Sequence, residues 1–151
     1  MSERLESFIA LSAFLTGFDE ARLWGTGLVE EHLNVLDQVL GASIVDELLG
    51  AFQRLPAAGQ HAEAVETAVL GDSKLGPVAR NLIVLWYSGT WTQMPPDWRA
   101  AHGASELDTT RTTSGAAYRG GLQWSAAGAH PPGAAHQGFG SWALEPKGRL
   151  A

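Results

Sequence analysis

At 151 residues and 16.0 kDa the chain holds enough material for one domain with a real core and no covalent staples. A formal charge of −6 and a pI near 5.2 leave no basic patch to displace phosphate counterions, which argues against nucleic acid and anionic lipid as partners. The absence of cysteine excludes disulfides, thiolate metal sites, thiol nucleophiles and iron–sulfur ligation together, and with 45% hydrophobic against only 17% charged residues much of the surface must be Gly, Ala, Ser and Thr.

Ser2 is placed to cap a first helix over residues 2–15, with Leu5, Phe8, Ile9 and Leu15 on one side and Gly17 as its stop. Its apolar run, residues 8–15, does not read as a secretory signal, because Glu3 and Glu6 flank a single Arg4 where such signals are positive. As it stands the sequence reads as cytoplasmic, the alternative being a periplasmic protein from which an export signal has been removed. Asp19 caps a second segment that is softly interrupted at Gly25 and Gly27 and then shows the clearest helical stripe in the chain. Val29, Leu33, Leu36 and Leu40 fall on one face there, with Glu30, Glu31, Asn34 and Asp37 on the other, and Gly41 ends it.

Ser43 followed by Asp46 resembles a capping box, ahead of a stripe of Val45, Leu48, Leu49, Phe52 and Leu55. After a turn at 56–59, an alanine-rich helix is expected from about 61 to 70, with Val65 and Val69 inward. Residues 76–91, GPVARNLIVLWYSGTW, then form the stretch the rest is built to cover. Pro77 suits a first helical turn, and from Val78 to Tyr87 only Arg80 and Asn81 are strongly polar. Such a helix needs other helices around it in water, and it is far shorter than the roughly 20 apolar residues of a membrane span.

Beyond Trp91 the periodicity ends. Residues 92–113, with Pro95 and Pro96, read as a long irregular loop; Ser114 can cap a last helix running through Tyr118, Leu122 and Trp124, where the pair Gly120 and Gly121 suggests close approach to another backbone. From 129 the chain has neither helical nor strand period and yet keeps Phe139, Trp142 and Leu144. The expected architecture is therefore all-α: five or six helices in one bundle-like domain, residues 1–128, around a buried central helix, followed by an irregular C-terminal arm, residues 129–151.

No catalytic constellation emerges. His130 and His136 stand six apart with no carboxylate nearer than Glu145, which is not a zinc-ligand pattern, and His32, His61 and His102 read as surface or loop residues. Ser125 and Ser141 lack a nucleophile elbow, and the run 138–140, GFG, is too short for a dinucleotide fingerprint. The acid pairs Glu30 with Glu31 and Glu63 with Glu66 lie on faces expected to be solvated. No catalytic, cofactor-binding or metal residue is assigned. Trp98, Trp124 and Trp142 occupy segments with little apolar surface of their own, and two readings stand: interface anchors, or an irregular half folded back over its own helices. Trp124, His130, Pro131, Pro132, His136, Phe139, Ser141 and Trp142 are the candidate partner-binding residues, since proline and glycine suit an extended backbone and the aromatics can anchor it.

Three stretches carry a resemblance: LTGFDE at 15–20, LGPVARNLIVLWYSGTW at 75–91 and YRGGLQWSAAGAHPPGAAHQGFGSW at 118–142. With them the chain resembles the small, third or gamma, subunits of bacterial FAD-dependent sorbitol-type and other sugar or polyol dehydrogenases. The resemblance implies a helical accessory subunit without cofactor or catalysis of its own, which stabilises and helps mature a large FAD-dependent subunit of the glucose-methanol-choline type. A cytochrome c subunit is a further candidate partner. Members of that family typically carry a twin-arginine export signal; no Arg pair precedes Phe8 here, so the escort role is not carried over. The competing expectation is a free-standing small helical enzyme or ligand-binding domain with a site near His130 and Trp142.

Overall fold

The computed structural model describes residues 2–56 and 61–129. The fold is all-α. Helix α1 (Glu3–Thr16) begins where the Ser2 side chain accepts from the Leu5 N–H and ends at Gly17, whose φ of 80° only glycine adopts without strain. Helix α2 (Glu20–Gly25) is capped by Asp19, which accepts from the Arg22 N–H at 2.7 Å. A full turn at 26–28 separates it from α3 (Val29–Leu40), so the soft interruption read at Gly25 and Gly27 is a break. Helix α4 (Ala42–Gln53) follows directly.

The proposed capping box at Ser43 and Asp46 does not form: α4 starts from Gly41 with no side-chain cap. Asp46 instead binds Arg4, whose guanidinium also forms a two-pronged pair with Asp37 at 2.6 and 2.7 Å. One arginine thus ties the start of α1 to α3 and α4, and first Asp37, then Asp46, holds it more firmly protonated than usual. After α5 (His61–Val65) the chain widens into a π turn, Glu66–Leu70, with the Gly71 N–H reaching back to the Glu66 carbonyl at 2.7 Å. Val65 and Val69 are fully buried, as their spacing predicts.

Helix α6 (Leu75–Ser88) is the centre of the fold. It packs against α1, α4, the π turn and the elements that follow it, with Val78, Ala79, Leu82, Leu85 and Trp86 at 0% exposure. Its covering is not complete, however. Val84 is 41% exposed and Arg80 is exposed, with Pro77, Asn81 and Ser88 half-buried on the same side, so one stripe of the helix faces outward. The helix is central and largely buried, as expected, and the neighbouring elements leave this one stripe uncovered.

Residues 92–113 are not an irregular loop. Strand β1 (Thr90–Trp91) pairs antiparallel with β2 (Arg111–Thr112), in the register Thr90 with Thr112 and Trp91 with Arg111. Between them Pro96 opens α7 (Pro96–His102), where Trp98 is 4% exposed and donates its indole N–H to the Lys74 carbonyl at 2.8 Å. Trp98 therefore belongs to the core, and His102 ends a helix instead of lying in a loop. The single last helix expected from Ser114 is two: α8 (Gly115–Arg119), capped by Ser114, and α9 (Leu122–Ala126), bent apart at Gly120 and Gly121. The close backbone approach expected of the two glycines is present: a Cβ at Gly121 would stand 2.5 Å from the Tyr87 carbonyl oxygen.

Candidate partner interface

The three stretches that carry the family resemblance are distant in sequence, yet their described parts meet at the C-terminal end of α6. From the turn after α1, the Thr16 carbonyl accepts from the Tyr87 hydroxyl at 2.7 Å and the Phe18 ring stands edge-on to Tyr87 with centroids 6.0 Å apart. From the other side, Gly121 lies against the Tyr87 carbonyl, and Gly89, at φ 75°, lies against Ala117, where a Cβ would meet the backbone at 2.6 Å. Arg22 closes the ring: its guanidinium carbon sits 5.8 Å from the Phe18 centroid while Nη2 donates to Ser125 Oγ at 2.6 Å. Tyr87 is thus held by its hydroxyl, its ring and its backbone at once.

Trp124 is half-buried at this junction. Its indole N–H donates to the Tyr118 carbonyl at 2.8 Å and its ring meets Tyr118 edge-on at 5.4 Å, which folds α9 back on α8. Tyr118 itself is 37% exposed. The Ala129 N–H then returns to the Trp124 carbonyl at 2.7 Å, so the last described residue lies beside this junction. Of the candidate partner-binding residues, His130, Pro131, Pro132, His136, Phe139, Ser141 and Trp142 lie outside the described residues.

Beside the junction runs the open stripe of α6, whose polar side chains are turned onto the chain's own backbone. Arg80 donates to the Leu70 carbonyl at 3.1 Å, Asn81 to the Thr92 carbonyl at 2.6 Å and Ser88 to the Val84 carbonyl at 2.7 Å. That leaves Val84, with Pro77 two turns before it on the same side, as the apolar ground of the face. The charge is distributed to match. Twelve of the sixteen acidic residues lie before Leu75, against four of the ten basic ones, so in sequence the net negative charge precedes α6 and the chain from Leu75 onward, with four acidic and six basic residues, is close to neutral. A near-neutral face with a central aliphatic side chain and flanking aromatics can be covered by another protein without stranding charge.

Two buried polar groups escaped sequence reasoning. Asp108, at 0% exposure, accepts from the Trp91 indole N–H at 2.8 Å and the Met94 N–H at 3.1 Å and pairs with Arg99 at 3.0 Å. It lies in a stretch without periodicity, where no pattern singles out one carboxylate. His32 was expected on a helix surface and is instead fully buried, its ring edge-on to Trp86 at 4.5 Å. The helical stripe could have found it, because His32 lies one position before Leu33 and three after Val29. Burial alone pulls its pKa from 6.5 down to about 4. Of the acid pair Glu30 and Glu31, Glu31 is half-buried and accepts from Ser114 Oγ at 2.7 Å, so it serves to anchor α8 on α3.

Among the described residues no three His, Asp or Glu side chains come together as a metal site, and no helix is long and apolar enough to cross a membrane. The surface depressions in this part of the chain are open grooves, such as the one lined by Leu5, Trp24, Glu30 and Asn34. Compared with protein-family models, with curated proteins and with solved structures, the chain matches none.

Proposed function

We propose that this chain is a non-catalytic small subunit that binds a large FAD-dependent sugar or polyol dehydrogenase of the glucose-methanol-choline type, stabilises it and helps it mature. FAD belongs to the partner in this reading, and a cytochrome c subunit is a further candidate partner. The observation that carries the proposal is the convergence at Tyr87: the described parts of the stretches that resemble dehydrogenase small subunits build one corner of the molecule, beside an open stripe of α6. Interfaces favour this combination of aromatic anchors, a small apolar ground and little charge. The partner covers Val84 and the Tyr118–Trp124 corner, and the arm from His130 to Trp142 extends the contact.

Expression of the chain with and without a large subunit of this type tests it. Together they should purify as a yellow complex that oxidises a sugar or polyol, while the 151-residue chain alone binds no flavin and oxidises neither. Bound FAD and activity in the isolated chain would end the reading. For the arm, Trp142→Ala and truncation after Gly128 should leave melting of the free subunit nearly unchanged and weaken association, by at least about 2 kcal/mol if Trp142 is an anchor. A fall in melting temperature with normal association of the folded fraction would place those residues in the subunit's own core.

A further inference from the structure

His32 sits where three helices meet. Phe8 of α1 and His32 of α3 both contact the Trp86 indole of α6, the first stacked at 6.5 Å and the second edge-on at 4.5 Å. Neither imidazole nitrogen has a hydrogen-bond partner among the described residues, and the same holds for Trp86 Nε1 and for Ser12 Oγ, one turn along α1 from Phe8. His32 and Trp86 are both at 0% exposure. A neutral imidazole is tolerated there as a flat, largely apolar ring, whereas an imidazolium would need solvation that nothing at the site supplies.

We propose that His32 is an acid-sensitive latch: its protonation breaks the contact with Trp86 and opens the junction of α1, α3 and α6. No charged group on the surrounding elements offsets the cost of the buried cation. On α3, Glu30 is exposed, Glu31 is bonded to Ser114 and Asp37 to Arg4; on α1, Glu3 and Glu6 are exposed and Arg4 is engaged. On α4, Asp46 holds Arg4 and Glu47 pairs with Lys74; on α6, Arg80 reaches Leu70 and the Tyr87 phenol reaches Thr16; on α8, Tyr118 and Arg119 are exposed. Attraction between the imidazolium and the indole face is smaller than the loss of hydration of a fully buried cation, so burial decides the direction. The device belongs to this chain and acts whether or not a partner is bound.

The sign follows from linkage. The unfolded chain protonates His32 near its ordinary value of 6.5 and the folded chain only near 4, so stability is full above about pH 6.5 and is lost as pH falls toward 4. Chemical unfolding of the full chain at pH 7.5 and pH 5 provides the test, with His32→Leu and His32→Gln alongside. Relative to the variants, the wild-type unfolding constant should rise about 30-fold between the two pH values. Parallel pH curves for wild type and variants would overturn the proposal. Should neither variant fold, the native imidazole resonance decides: His32 should remain neutral at pH 5.5, and titration near 6.5 in the folded protein would overturn the latch equally.

Discussion

The carboxylate of Asp108 shows how one side chain organises a segment that has no periodicity of its own. It satisfies an indole N–H on β1, a backbone N–H two residues before α7 and a guanidinium on α7, and the backbone carbonyl of the same residue accepts from the Gln93 side-chain amide at 3.1 Å. Asp108→Ala would strand the Trp91 and Met94 donors in a dry site, at a cost of about 2–6 kcal/mol, since each of the two orphaned buried groups costs roughly 1–3. Asp108→Asn keeps an acceptor and should lose less. Denaturant titration of the two variants gives the comparison, and equal losses would mean that the ion pair with Arg99, not the neutral hydrogen bonds, holds the segment. None of this was legible in the sequence, because a buried polar hub depends on partners 14 and 17 residues away that no local pattern connects. By contrast Ser2, Asp19 and Ser114 were legible as caps, since a cap is a relation between neighbours three apart.

At the scale of elements, α6 was legible and its surroundings were not. A run of apolar residues behind Pro77 reports that the helix is buried, and Leu82 at 0% exposure agrees. Leu82→Ala should destabilise by about 2–5 kcal/mol in equilibrium unfolding; a smaller loss would mean the core collapses around the gap. The run does not report which stripe stays open, because Val84 and Leu85 are equally apolar and only the placement of neighbours distinguishes them. The double glycine was legible for its steric meaning. Gly121→Ala should push α9 away from Tyr87 and cost about 1–3 kcal/mol, whereas Gly25→Ala, with open space where its Cβ would stand, should melt close to wild type. Equal melting of the two glycine variants would show that the α8–α9 corner yields freely.

For the whole molecule, the fold class followed from stripes and caps, while the candidate interface needed three dimensions. Residues 15–20, 75–91 and 118–129 have no sequence relation to one another; the packing of α1 on α6 brings Phe18 to Tyr87, and the return of α8 and α9 onto α6 brings the Tyr118–Trp124 pair to the same helix. In the proposed function this corner and the neighbouring stripe at Val84 form the face by which the chain joins a flavoprotein. Because Val84 is exposed, Val84→Glu should leave the melting of the free subunit nearly unchanged while placing a charge at the centre of the contact. Asn34→Glu, on the exposed side of α3, serves as the control. Co-purification of flavin absorbance with the tagged chain, compared for wild type, Val84→Glu and Asn34→Glu, is the decisive measurement. A yellow complex is expected with wild type and Asn34→Glu and its loss with Val84→Glu; equal flavin with all three, or none with wild type, would contradict the proposed face.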